Sequence, residues 1–381
     1  MIVNKFSIAL LTLISINALA QTNISNTRAS DGVDHDLIYW LSIPPNVTGA
    51  MYSSPQQVKT SLPLSNGNAA FEATVSGTST TPSGYLTSFN APVFFFLAGF
   101  GIAGQYSNAG QVVLYQAGNN NGDSKINISS MKITGPDGRS WQFYGIAGDG
   151  ESTDKTHESF FGKTDGEDWS LVAKLTARGA TSDPIANLSG TSFSVKGVNT
   201  QGGIQANAYI FRTLNPKNIS IGVGAQGTKQ GMVSGLLPLI PEVVVTCNAS
   251  TPVKSSEPCN IDVKNPPLES FTIHLDPPPG IDSTSSCLTG VVFQQGQASQ
   301  TCNMQSSSNI TGEITVTAKP IDSDVEGWII TPGTVTLNRP SVQPDKNITS
   351  VPVNSFLLLL LSALGIVVLM RRIEKPTMRN D

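Results

Sequence analysis

"SMKITGPDGRSWQFYGIA", Ser130 to Ala147, decides how the body of this chain is read. Trp141 and Phe143 alternate with Gln142 and Tyr144, the period of two that turns one pair toward a core and the other away. "GPDG", Gly135 to Gly138, supplies the residues of a tight turn between the two β-rich runs, and a hairpin is expected there. Working outward, "QVVLYQA", "TSFSVKGV", "AYIFRT" and "GEITVTA" are further short β-branched or aromatic runs set between Gly, Asn, Asp and Pro clusters. Helical patterning is scarce from residue 21 to 340. The expected class is therefore all-β, built as β-sandwich domains.

Composition narrows the function. Charged residues make up 13% of the 381, the net charge is −4, and no basic stripe stands outside the C-terminal tail. Nucleic acid is therefore not expected as a partner. Hydrophobic residues at 39% suffice for packed cores. Length suggests two or three domains.

Both ends carry apolar segments. "MIVNKFSIALLTLISINALAQ" has Lys5, an apolar stretch and an Ala18-x-Ala20 site, the layout of a signal peptide (residues 1–20) cleaved between Ala20 and Gln21. An uncleaved anchor is the alternative. At the other end, 11 of the 15 residues from Phe356 to Met370 are Leu, Ile, Val or Phe. The run is apolar on every face, unlike an amphipathic core helix. Arg371 and Arg372 follow it as a stop-transfer flank. A single transmembrane helix over 355–372 is expected, in contact with membrane lipid, with residues 373–381 cytoplasmic.

Between the ends, 21–237 reads as a larger N-terminal β domain, subdivided near 69–90 by a Ser/Thr/Gly-rich stretch. "GLLPLIPEVVV", Gly235 to Val245, reads as an interdomain joint. Residues 242–339 form a second β domain, and 340–354 a Pro-spaced polar stalk. All four cysteines fall in the second domain. Cys247 and Cys259 lie 12 apart, Cys287 and Cys302 lie 15 apart. In an exported chain an even, clustered set argues for disulfides. Of three pairings, the local one (Cys247 with Cys259, Cys287 with Cys302) is expected, each bridge clamping a loop between β runs.

Two resemblances can be attached to these residues. Val351-Pro352-Val353-Asn354, the Leu-rich span and Arg371-Arg372 resemble the PEP-CTERM and IPTL-CTERM sorting tails of bacterial exported proteins. That resemblance implies processing by an exosortase-like membrane protease; a plain single-pass anchor is the alternative. The block containing "VTCNAS", "PCNIDV", "SFTIHLDPPPG" and "QTCNM" resembles the immunoglobulin-like modules of bacterial surface proteins, which implies a spacer or adhesive unit.

Catalytic signatures are thin. His35, His157 and His274 are far apart in sequence, no G-x-S-x-G is present, and "GFGIAG" (99–104) lies outside a strand–helix context. Acidic turns supply Asp149, Glu151, Asp154, Asp165, Glu167 and Asp168, oxygen ligands of the kind calcium prefers. Solvated turns account for them more simply, so no cofactor is expected beyond that calcium option. Trp141, Tyr144 and Trp169 flank these turns, where a carbohydrate could stack, although core packing is their default. The expected function is a non-catalytic cell-envelope surface protein with a structural or adhesive role. The alternative is an exported carbohydrate-binding protein or polysaccharide hydrolase.

Overall fold

The structure, a computed structural model, describes residues 23–26, 38–80, 86–91, 111–116, 122–150, 153, 156–176, 184–198, 207–225, 230–248, 250, 253–308 and 312–338. The expected signal peptide with its Ala20/Gln21 site, Glu151, Asp154, His35, the 99–104 motif, and the expected stalk, sorting residues and C-terminal span lie outside the described residues. Among the described residues, no helix is long and apolar enough to cross a membrane.

Among the described residues the first elements are β1 (Asn23–Asn26) and β2 (Tyr39–Ser42), then a short helix, α1 (Pro45–Ala50). Next come β3 (Gln56–Leu64), β4 (Gly67–Ser79), β5 (Leu86–Ala91), β6 (Gln111–Gln116), β7 (Gly122–Thr134) and β8 (Phe143–Asp149). The run continues with β9 (Ser159–Thr164), β10 (Ser170–Thr176), β11 (Ile185–Ser189), β12 (Ser192–Lys196), β13 (Asn207–Leu214), β14 (Ile219–Ala225) and β15 (Gln230–Pro238). A C-terminal module follows with β16 (Glu242–Cys247), β17 (Ser256–Lys264), β18 (Phe271–Ile273), β19 (Val291–Phe293) and β20 (Ser299–Gln305). It ends with β21 (Ile314–Ala318), a 3₁₀ turn at Asp322–Asp324, β22 (Ile329–Thr331) and β23 (Gly333–Leu337).

Among the described residues, fifteen strands make the body. One sheet runs β11-β12-β9-β14-β7-β4-β3; the other runs β1-β2-β15-β8-β13-β10, with β6 pairing β15 and β5 pairing β6. Alternation along β3, β4 and β7 buries every second residue, so the first sheet has one face in the core. In the second sheet the central strands β2, β15 and β8 are buried on both faces. Tyr39, Leu41, Ala147, Phe211 and Met232 belong to the main core, while Ile38, Trp40, Ile146, Ile210 and Val233 form a second apolar cluster on the opposite face. β15 shows this most fully, being buried at every position, its polar Gln230 and Ser234 included.

Aromatic rings join the sheets. Phe193 of β12 stacks on Phe211 of β13 at 4.3 Å, and Phe160 and the edge-on Trp169 lie 4.9 and 5.0 Å from Phe193. Burying each such ring is worth roughly 1.5–3 kcal/mol.

The GPDG segment does turn the chain, but the expected hairpin is only a stub. Thr134 bridges Ser140, and Trp141 N donates to Ile133 O at 3.0 Å. Then the strands part: β7 stays in the seven-stranded sheet and β8 enters the other. The turn is thus a corner between sheets. Of the alternating residues, Trp141 and Phe143 are the buried pair.

In the module, β20-β17-β16-β22 form a four-stranded sheet in which β16 and β22 are parallel, with β18-β19 and β21-β23 as two-stranded partners. Cys247 is bonded to Cys259, its direct cross-strand partner, and Cys287 to Cys302. Cys259 and Cys302 are in turn paired across β17 and β20, so both disulfides sit side by side.

Candidate functional site

Body and module meet at the GPDG corner, and the meeting leaves a cavity of about 560 Å³. Three local features of the chain shape it. In β7, Lys132 pairs with Glu72 and Ser129 with Thr74, so β7 carries one extra residue there. Ser130 takes φ 54° in that bulge. A bulge of this kind bends the strand and re-aims its side chains. Second, Asn215 takes φ 51° between β13 and β14, a conformation Asn tolerates better than most residues. Its Oδ1 accepts from Phe143 N at 3.0 Å and its own N–H donates to Phe143 O at 2.8 Å.

Third, the module closes one side. Leu268 N donates to Ser140 O at 2.8 Å, and Ser140 N donates to Glu269 Oε1 at 2.9 Å. The cavity therefore has a floor of buried Trp141, Phe143 and Pro216 and a mouth carrying exposed Lys132, Lys217 and Glu269. Its size falls in the range of small-ligand sites, about 300–1,000 Å³. Chemically it offers two ammonium groups and a carboxylate over an apolar base, a combination suited to recognising a polar ligand.

The acidic residues singled out in the sequence do not gather here. Asp149 is fully buried at the end of β8, where Thr153 Oγ1 donates to its Oδ2 at 2.8 Å and Gln230 Nε2 to its Oδ1 at 3.2 Å. Asp165 follows β9 and accepts from Lys217 N (2.9 Å), Asn218 N (2.7 Å) and Asn218 Nδ2 (2.6 Å), which pins the β13–β14 connection beside the cavity. Glu167 and Asp168 are exposed. Among the described residues no group of three or more His, Cys, Asp and Glu side chains is placed to hold a metal ion. Of the histidines, His274 Nδ1 lies 2.8 Å from Asp324 Oδ2, and His157 Nε2 is buried without a hydrogen-bond partner.

The aromatic residues divide. Trp141 and Trp169 are core, so neither presents a flat face for stacking. Tyr144 is half-buried beneath the Arg212 guanidinium, 4.4 Å from its ring centre.

Two groups of polar residues escaped the sequence reading. Asp137, read only as a turn former, accepts from Trp141 Nε1 at 3.0 Å and from Trp328 Nε1 at 2.8 Å. Thr153 and Gln230 complete a buried cluster with Asp149. Nothing in a linear pattern connects residues so far apart, and turn chemistry alone explains a Pro-Asp-Gly.

A family model described as surface adhesin CshA non-repetitive domain 2 matches residues 36–237. No curated protein matches the chain. Among solved structures, the N-terminal domain of the Streptococcus gordonii adhesin Sgo0707 is similar over 83% of this chain and 94% of that one, with 11% identity and a TM-score of 0.29, too low to carry an argument.

Proposed function

The chain belongs to the surface adhesin CshA non-repetitive domain 2 family, and from that membership we propose that it is an exported, non-catalytic adhesin of the bacterial cell envelope. The observation that carries this reading is where the match falls. Residues 36–237 span the body from β2 to within one residue of the end of β15. On this reading the two-sheet body makes the adhesive contact and the disulfide-bonded module holds it away from the cell. The C-terminal span, 355–372, delivers the chain to the membrane with 373–381 inside. An exosortase-like protease that reads Val351-Pro352-Val353-Asn354 and Arg371-Arg372 then releases or sorts it.

The adhesive contact is assigned to the cavity at the body–module junction, and its ligand to the carbohydrate class. Lysines and a carboxylate around an apolar floor suit hydroxyl-rich and acidic sugars. The hydrolase alternative gains no support from carboxylates held as Asp149 and Asp165 are. The test is binding of the purified mature chain to immobilised polysaccharides, comparing wild type with the Lys132→Ala/Lys217→Ala double variant. Retention by wild type and at least tenfold weaker binding by the variant is the expected result. Equal binding would remove the cavity from the account. Mass spectrometry of the protein from cell fractions tests delivery: Gln21 is expected as the first residue.

A further inference from the structure

The buried cluster of Asp149, Thr153 and Gln230 goes beyond adhesion and is carried by geometry alone. All three residues have no solvent exposure. Their polar atoms close a ring. Thr153 Oγ1 donates to Asp149 Oδ2 at 2.8 Å, Gln230 Nε2 donates to Asp149 Oδ1 at 3.2 Å, and the same Nε2 lies 2.8 Å from Thr153 Oγ1. Gln230 Oε1 is buried with no hydrogen-bond partner. A network built only for stability is expected to satisfy such an atom, and an orphaned polar atom in a native interior calls for another explanation.

The arrangement has the parts of an acyl transfer. A hydroxyl nucleophile stands next to a carboxylate base within hydrogen-bond reach. The electrophile is the side-chain amide carbon of Gln230, one bond of about 1.33 Å beyond Nε2, so it lies no more than about 4 Å from Thr153 Oγ1. Both partners are fully buried, which limits the access of water as a competing nucleophile.

We propose that Thr153 and Gln230 become joined in the mature protein by an intramolecular ester bond, with Asp149 as the catalytic residue. The steps balance without any co-reactant. Asp149 Oδ2 takes the hydroxyl proton as Thr153 Oγ1 bonds to Gln230 Cδ, giving a tetrahedral intermediate. The same carboxyl group then protonates the departing nitrogen, which Oδ1 already contacts. The C–N bond breaks, one ammonia leaves, the C=O bond re-forms and Asp149 returns to its carboxylate. An ester carbonyl is a weaker acceptor than an amide carbonyl, so the orphaned oxygen is also better tolerated after reaction.

The bond's place in the fold gives it a use. Gln230 begins β15, the strand that leads into the C-terminal module, and Asp149 ends β8, its hydrogen-bonded neighbour. Thr153 and Gln230 are 77 residues apart, and the segment between them holds β9 to β14. Tension entering from the C-terminal side through β15 would pass across the ester to Thr153, leaving those six strands unloaded. A surface protein pulled by its ligand gains resistance to unfolding at that point.

The experiment is intact-mass measurement and peptide mapping of the exported chain, reduced and denatured. The expected result is a mass lower by one ammonia, a single cross-linked species joining the peptides of Thr153 and Gln230, and its release by hydroxylamine. Cyclisation of an N-terminal Gln21 also loses ammonia, so the map must place the loss at Gln230. Thr153→Ala and Asp149→Asn are expected to abolish the cross-link, and Thr153→Ser to retain it. Recovery of unmodified Thr153 and Gln230 peptides from folded wild-type protein would overturn the proposal, whatever the variants do.

Discussion

Asp137 Oδ2 accepts a hydrogen bond at 2.8 Å from the indole of Trp328, a residue 191 positions further along the chain. The other carboxylate oxygen takes the Trp141 indole at 3.0 Å and the Arg139 N–H at 3.1 Å. One turn residue thus satisfies a buried tryptophan from the body and one from the module. Arg139 extends the joint, its Nη1 donating to Asp324 O at 2.6 Å and its guanidinium 5.9 Å from the centre of the Phe271 ring.

Replacing Asp137 by Ala strands both indole donors. Each buried unsatisfied group costs about 1–3 kcal/mol, so a loss on the order of 3 kcal/mol is expected in urea unfolding. Pairing it with Trp328→Phe in a double-mutant cycle should show coupling above about 0.5 kcal/mol. Strict additivity would mean the junction bond contributes nothing.

The disulfides close loops with sequence separations of 12 and 15. Removing either as a Cys→Ser pair should cost about 3 kcal/mol by chain entropy. Because Cys259 and Cys302 are cross-strand partners, the quadruple variant is expected to depart from the sum of the two pairs. Denaturation midpoints of the three variants decide it.

Gly162 of β9 faces Phe193 across the ladder, and a Cβ there would stand 2.2 Å from the Phe193 ring. That ring cannot retreat, since Phe160, Trp169 and Phe211 surround it. Gly162→Ala should therefore destabilise the body by about 1–3 kcal/mol through overpacking. An unchanged melting temperature would show that the cluster has slack.

Glu257 of β17 is buried, and burial raises its pKa. Hydrogen bonds from Ser250 Oγ (2.8 Å), Ser250 N (2.9 Å) and Lys254 N (3.2 Å), with the Lys254 charge, outweigh that and hold the carboxyl below its ordinary 4.5. A folded-state value below the unfolded one stabilises above pH 4.5, and the contribution disappears as pH falls through the folded value. Urea midpoints measured from pH 7 to 3 should fall more steeply below pH 4.5 for wild type than for Glu257→Gln. Parallel curves would refute the assignment.

How much of this was legible beforehand follows from the range of each interaction. Strand-forming runs, turn residues and clustered cysteines are local, and a linear reading captured them: the all-β class, the alternation that buries one pair of residues 141–144, and the two local disulfides. The GPDG hairpin was half right. Turn chemistry dictates that the chain reverses, but two ladder contacts cannot hold β7 and β8 together against the burial gained when β8 joins the second sheet.

Local patterns along the chain thus determined what kind of elements form and where they end. The three-dimensional structure alone decided that Asp137 bridges two tryptophans, that Asp149 lies inside beside Thr153 and Gln230, and that a cavity opens at the junction. Each of these depends on groups brought together across tens to hundreds of residues, and such contacts are selected by the burial of whole faces, a property no short window of sequence contains.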